Sequence, residues 1–94
     1  MTTPALSLTD QPRLRRGVRA GADPLSGETV LLFPEGVLIL NETAAAVIRQ
    51  CDGCHSVTEV VQAVGTVYRD VAPEDVMSLL RNLITQNLLV INHG

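Results

Sequence analysis

Near its middle, the chain changes within one residue from a continuous apolar run to helical spacing. Residues 37–40 are apolar and follow a glycine, and two of the four are β-branched, which is typical of a buried strand. Asn41 is a good helix N-cap, and apolar side chains then recur on one helical face at positions 44, 47, 48 and 51. The pattern predicts a strand that runs directly into a helix over residues 42–51, with both elements buried.

Two other segments upstream have the character of strands. Residues 13–20 and 29–33 are predicted strands, separated by a turn cluster rich in Gly, Asp, Pro and Ser. Pro34-Glu35-Gly36 forms a second turn before the strand at 37–40. Because both connections are short, we expect an antiparallel meander. The strands at 29–33 and 37–40 are apolar on both faces, whereas an antiparallel sheet with one solvated face would alternate.

Two more helices are predicted after residue 55. Ser56 and Glu59 form a capping box, and helical apolar spacing continues from there to residue 68. Pro73 begins the third helix, and residues 88–91 predict a short strand or apolar tail that closes the core. This order predicts an α+β fold, a three-stranded antiparallel meander followed by a three-helix, winged-helix-like bundle.

Length and composition indicate one domain with an aliphatic core. The chain has 94 residues, of which 46% are hydrophobic and 2% aromatic. Residues 1–11 lack periodicity and predict a flexible N-terminal tail, which leaves residues 12–94 as the domain. No apolar run approaches the roughly 18 residues that span a membrane, and no basic-then-apolar start indicates a signal peptide. We therefore expect a cytoplasmic protein without a membrane partner.

Charge is unevenly distributed along the chain. The net charge is −3, yet four of the seven arginines lie within residues 13–19. This segment is either an anion-binding arm or a strand whose Leu14 and Val18 point inward while arginines cover the outside. The second interpretation is favoured, since a solvated face is the usual position of such a run.

Cys51, Cys54 and His55 form a C-x-x-C-H pattern, the signature of c-type haem attachment. Covalent haem attachment requires export, and the sequence shows no export signal. A redox pair would sit at the start of a helix, whereas this pair sits at a helix end. Zinc needs four ligands, and the fourth candidate, His93, lies in the C-terminal tail. We predict no metal and no cofactor, with a small metal-binding or redox protein as an alternative.

Nucleic-acid binding is a second alternative, because winged-helix domains often bind DNA. The third helix would present Pro73-Glu74-Asp75 to the groove, and these carboxylates repel phosphate. We therefore expect no nucleic-acid partner. The sequence also lacks a Gly-rich phosphate loop and a serine–histidine–acid set with a shared location, which predicts that the protein is not an enzyme.

Three segments together resemble the pyrroloquinoline quinone (PQQ) biosynthesis protein D family. They are PRLRRGVR at 12–19, LNETA at 40–44 and CDG at 51–53, and the similarity extends over residues 12–91. One departure is NLL at 87–89, where the family more often has Gly-Leu-Leu. Asn tolerates the same left-handed backbone conformation as Gly, so the departure is compatible with the same turn.

The resemblance implies a peptide chaperone. Family members bind the leader of a ribosomally made precursor peptide and present it to a radical S-adenosylmethionine enzyme of the PQQ pathway. The leader adds as a strand beside the third strand and packs against the third helix. Carried onto this chain, the implied peptide-binding residues are Val37, Leu38, Ile39, Leu40, Val76, Leu79, Leu80 and Leu83.

An apolar edge strand is also a template for pairing with another chain. Without peptide, we therefore expect concentrated protein to form a homodimer by strand exchange, with the glycine-flanked segment 21–27 as the flexible connection. The alternative is a monomer whose edge is covered by the N-terminal tail.

Overall fold

A computed structural model describes residues 6–92 of the chain. Within them the fold is α+β, as the sequence predicts, with five short strands and three helices. In chain order these elements are β1 (Gln11–Leu14), β2 (Arg19–Ala22), β3 (Thr29–Phe33), β4 (Gly36–Ile39), α1 (Glu42–Gln50), α2 (Val57–Val67), α3 (Pro73–Thr85) and β5 (Leu89–Asn92).

The meander is confirmed as an antiparallel sheet in the order β2-β3-β4. Strand β3 has the predicted bounds, and β4 begins and ends one residue earlier than predicted. In the register of this sheet Leu31 lies opposite Leu38, and Leu32 lies opposite Val37. The face that carries Leu31 and Leu38 is called the inner face below, and the face that carries Leu32 and Val37 is called the outer face.

The single strand predicted over residues 13–20 is wrong. The chain turns after Leu14, where the Val18 N–H donates to the Arg15 carbonyl at 2.9 Å and Gly17 adopts a φ of +91°. Glycine occupies this left-handed conformation without the steric cost that a Cβ imposes. The turn frees β1 to pair with β5 in a separate two-stranded antiparallel sheet.

The domain boundary predicted at residue 12 stays a prediction, and residues 1–5 lie outside the described part of the chain. Gln11 already belongs to β1. The carbonyls of Leu8 and Asp10 accept hydrogen bonds from the N–H groups of Thr58 and Val57, at 3.1 and 2.9 Å. Residues 8–11 are therefore joined to β5 and to the start of α2.

The helices begin where their capping residues predict. Asn41 Oδ1 accepts from the Ala44 N–H at 2.8 Å. Ser56 and Glu59 form a reciprocal capping box, with distances of 3.2 and 2.8 Å. Asn87 has a φ of 63°, the left-handed conformation expected of it after α3. None of the helices within residues 6–92 combines the length and the apolar character that crossing a bilayer requires.

One aliphatic core joins both sheets to the helices. Helix α1 packs against β3 and α2, α2 packs against α3, and α3 packs against β5. Burying a Val or Leu side chain contributes about 1.5–3 kcal/mol, so this cluster dominates the stability of the fold. Its buried members are Val18, Leu31, Leu40, Ala44, Ala45, Val47, Ile48, Cys51, Val57, Val60, Val64, Val76, Leu80, Leu83, Leu88 and Leu89.

Candidate functional site

Strand β4 is an edge strand whose second side is open. It pairs with β3, and within residues 6–92 no strand pairs with its other side. In an antiparallel pair, opposed residues alternate between those that exchange backbone hydrogen bonds and those that do not. The Leu40 N–H donates to the Thr29 carbonyl at 2.9 Å, which sets the phase of this alternation. The N–H and C=O groups of Val37 and Ile39 therefore point to the open side.

The same two residues expose their side chains. Val37 and Ile39 are 60% and 59% exposed on the outer face, where neighbouring Leu32 is 38% exposed. Leu38, on the inner face, is half-buried, and Leu40 is buried in the core. Among the described residues, β4 thus offers solvent both unpaired backbone groups and large apolar side chains at the same positions.

The opposite edge of this sheet, β2, differs in its side chains. The Asp23 N–H donates to the Glu28 carbonyl at 2.8 Å, and the resulting alternation turns the backbone groups of Ala20 and Ala22 outward. Their side chains are single methyl groups. Of the two edges, only β4 provides large apolar surface for a bound strand.

Arg15 joins the β3–β4 hairpin to the end of α3. Its guanidinium Nη2 lies 3.5 Å from Glu35 Oε1 in the hairpin turn, and its Nε donates to the Asn87 carbonyl at 2.5 Å. The Arg15 N–H also donates to the Leu88 carbonyl at 2.9 Å. The Glu35 side chain is 71% exposed, so the ion pair adds little stability by itself, but Arg15 connects the hairpin turn to the turn after α3.

The predicted residues of α3 lie mainly in the core. Val76, Leu80 and Leu83 are 2%, 0% and 2% exposed, whereas Leu79 is half-buried. Helical periodicity marked this face as apolar, but a core face and a binding face have the same period. The structure brings Val37, Leu38 and Ile39 together at one edge and leaves Leu79 as the accessible member of the α3 set.

The N-terminal arginines occupy the outside of the fold, as the favoured interpretation predicts. Val18 is buried and Leu14 is half-buried against the core, while Arg13, Arg16 and Arg19 are exposed. The arginines are distributed over β1, the following turn and β2 rather than along one strand.

The segment after α1 is organised by the Asp52 carboxylate. It accepts hydrogen bonds from the N–H groups of Cys54 at 2.8 Å and His55 at 3.2 Å, and it lies 2.9 Å from His55 Nδ1. The Cys54 N–H and then the His55 side chain lower the pKa of Asp52. In return, the Asp52 hydrogen bond and charge raise the pKa of His55.

The two cysteines have different surroundings. Cys51 is 4% exposed, its Sγ donates to the Val47 carbonyl at 3.2 Å, and burial raises its pKa to about 12. Cys54 is exposed. In the described part of the chain no group of three His, Cys, Asp or Glu residues could hold a metal ion, and His93 lies outside that part. The prediction of no metal stays a prediction.

A surface depression of about 650 Å³ lies where β4 leads into α1. Its walls come from the β2–β3 turn, one side of α1 and the residue after α2. They combine acidic, basic and aromatic groups, including Glu28, Glu42, Arg49 and Tyr68. Sequence periodicity contains no signal for this depression, because its residues come from several separate elements.

Comparison with known proteins gives the same family from the sequence and from the structure. The family model for coenzyme PQQ synthesis protein D (PqqD) matches residues 28–89. The chain is 41% identical over 76 residues to a PqqA binding protein of Azotobacter vinelandii, covering 79% of this chain and 83% of that protein.

Two further matches are a protein of Methylorubrum extorquens and a solved structure from Methylobacterium extorquens. The chain is 36% identical over 89 residues to a bifunctional coenzyme PQQ synthesis protein C/D, covering 90% of this chain and 24% of that protein. It also matches the solution NMR structure of a PqqD truncation of PqqCD, with a TM-score of 0.76 and 35% identity over 96% of this chain and 99% of that one. That truncation represents a functional, stand-alone recognition element for ribosomally synthesized and post-translationally modified peptides.

Proposed function

This chain belongs to the coenzyme PQQ synthesis protein D family, and from that premise we propose that it binds the PqqA precursor peptide along the open side of β4. The observation that carries the proposal is that Val37 and Ile39 combine exposed apolar side chains with backbone groups that no strand within residues 6–92 pairs. In strand addition, backbone hydrogen bonds supply affinity and side-chain contacts supply specificity.

The peptide contacts that we assign differ from the eight peptide-binding residues that the family resemblance implies. Val37, Leu38 and Ile39 lie along the edge, and Leu79 retains access to solvent on α3. Leu40, Val76, Leu80 and Leu83 are buried in the core, so we assign them the role of supporting these elements from beneath.

In this proposal the protein presents the bound peptide to an enzyme and catalyses no reaction of its own. Its partner is the radical S-adenosylmethionine enzyme of the PQQ pathway, and both work in the cytoplasm. In Methylorubrum extorquens the related PqqD sequence is part of a bifunctional C/D protein, which is consistent with delivery of the peptide to other PQQ synthesis proteins.

Proline at the open edge tests strand addition. Because the Ile39 N–H points away from β3, Ile39→Pro removes a donor for the peptide and leaves the bonds to β3 in place. We expect its affinity for synthetic PqqA, followed by titration of isotope-labelled protein, to fall about tenfold. In wild-type protein, PqqA should slow hydrogen exchange of the Val37 and Ile39 amides.

Ala20→Pro is the matched control, since its N–H also points away from β3 but lies on β2. It should bind PqqA as wild-type protein does. Equal losses in both proline variants, or slowed exchange confined to other elements, would place the peptide away from β4.

We also propose that β4 pairs with the β4 of a second copy when no peptide is present. Edge-to-edge pairing requires no opening of the β2–β3 turn. That turn is closed by bonds from the Gly27 N–H to the Asp23 carbonyl at 2.8 Å and from the Leu25 N–H to Asp23 Oδ1 at 2.9 Å. Strand exchange, the route expected from the sequence, would break them.

Sedimentation over a concentration series, with and without PqqA, tests this pairing. We expect concentrated protein to form a dimer that PqqA dissociates, since both occupants would use the same backbone groups. A dimer that persists at saturating PqqA would mean that copies associate through a different surface.

A further inference from the structure

The two residues that would hydrogen-bond a peptide also present their side chains on the outer face. In a β-strand, residues with the same parity share a face and also direct their backbone groups to the same side. Val37 and Ile39 have the parity that faces away from β3, and their side chains are 60% and 59% exposed. A strand added at this edge must therefore place two of its own residues beside them.

The outer face around these residues is apolar. Leu32, directly across from Val37, is 38% exposed, and Val30 lies directly across from Ile39. Arg19 is the charged residue of this face in the three-stranded sheet, and it lies on β2, beyond Leu32 and two strands from the open side. A bound residue next to Val37 or Ile39 thus meets apolar neighbours and no nearby charge from this sheet.

We infer that the bound peptide presents two apolar side chains, two positions apart, to the outer face beside Val37 and Ile39, while the residue between them faces Leu38. This inference rests on the proposed function and adds the sequence pattern that the site selects. Backbone bonding alone would accept any extended segment, because backbone groups are common to all residues except proline. Contact of an apolar pair with Val37 and Ile39 would make selection depend on side chains.

A double variant at these positions tests the pattern. Val37→Thr and Ile39→Thr together keep β-branched residues in the strand, so β4 should still form. They replace one methyl group of Val37 and the ethyl group of Ile39 with hydroxyls. We expect the affinity for synthetic PqqA to fall about tenfold, from the loss of two cross-strand apolar pairs. The control is Val67→Thr, which alters a 70% exposed valine on α2 and should change the affinity by less than about twofold.

A serine scan of PqqA, measured against wild-type protein and the double variant, locates the partner residues. Two peptide positions, two apart, should lose affinity with the wild-type protein but much less with the double variant, because their effects are coupled through contact. Affinity of the double variant within twofold of wild type, or coupled positions not spaced by two, would overturn the inference.

The amide exchange of Val37 and Ile39 separates failure of the inference from failure of the proposed function. If PqqA protects these amides in wild-type protein and the threonine variant binds equally well, strand addition stands and side-chain selection on the outer face is refuted. If PqqA does not protect them, the proposed function itself fails, and the inference fails with it. Circular dichroism melting of each variant verifies that the protein is folded.

Discussion

The edge strands β1 and β4 of the two small sheets differ in whether their second side is covered. Strand β1, paired with β5, is covered on its other side by the chain itself, since the Gly53 N–H donates to the Pro12 carbonyl at 3.0 Å. Pro12 is nearly fully buried and has no N–H that would need a partner on that side. Strand β4, of the same length, has no such cover within residues 6–92.

The segment at Asp52 and Gly53 that covers β1 contacts both strands of this sheet. Asn92 Nδ2 donates to the Gly53 carbonyl at 3.0 Å, and the backbones of Arg13 and Asp52 form an isolated antiparallel β-bridge. An open sheet edge invites pairing with other chains, so proteins usually cover, charge or twist their edge strands. The difference leaves the open side of β4 accessible to the peptide that we propose it binds, whereas the covered side of β1 is closed by the chain itself.

Removing core support beneath both sheets should produce the largest effect. Leu80 is fully buried in the cluster that contains Leu31 of β3 and Leu89 of β5. We expect Leu80→Ala to lower the free energy of unfolding by about 2–5 kcal/mol, measured by denaturant titration, because it leaves a cavity. Leu25→Ala, at a position that is 96% exposed, is the control and should have almost no effect.

The same Leu80 variant distinguishes a core residue from a binding residue. Sequence resemblance placed Leu80 in the peptide-binding set, whereas the structure buries it. A variant of unchanged stability that loses PqqA affinity would show that Leu80 contacts the peptide and that the helix face was correctly assigned from the sequence.

Opening the covered edge should have an intermediate effect. Gly53 has a φ of +80°, and a Cβ there would lie 3.4 Å from side-chain atoms of Arg13. We expect Gly53→Ala to cost about 1–2 kcal/mol of unfolding free energy, because an L-residue is strained in this conformation. PqqA affinity should be unchanged, since this segment closes β1 and not β4.

Gly65→Ala is a control for Gly53→Ala, because we expect it to change the free energy of unfolding in the opposite direction. Gly65 lies within α2, and a Cβ there would meet nothing within 4 Å. Alanine should therefore raise stability by up to about 1 kcal/mol through helix propensity. If both alanine variants lowered stability equally, backbone conformation would not explain the cost at residue 53.

The smallest effect should be the pH dependence that His55 confers on the covered side. Asp52 raises the pKa of His55 above its ordinary value of 6.5, so its contribution is complete below pH 6.5 and is lost as the pH rises through the folded-state value. Thermal melting of wild-type protein and His55→Ala should therefore differ most at mildly acidic pH and converge at alkaline pH. A difference that grows with pH would contradict the assignment of this ion pair.

Local signals accounted for much of the fold. The caps at Asn41 and Ser56, the left-handed turn at Asn87 and the hairpin turn before β4 depend on neighbouring residues, so their sequence patterns were sufficient. The strand predicted over residues 13–20 is wrong because the chain turns at Gly17, and this glycine is a local signal for a turn. The pairing of β1 with β5 had no such signal, since it joins residues more than 70 positions apart, as in the pair Pro12 and Ile91.

The apolar faces, the helix starts and the two-sided apolar character of β4 follow from the sequence alone, because periodicity and capping are properties of neighbouring residues. The sequence could not determine which apolar residues face solvent, and so the eight candidate binding residues included four core residues. Which apolar residues are buried depends on which elements pack together, and that is a property of the three-dimensional fold. By covering β1 with the Gly53 segment and leaving β4 uncovered within residues 6–92, the fold made one edge structural and the other available to a partner.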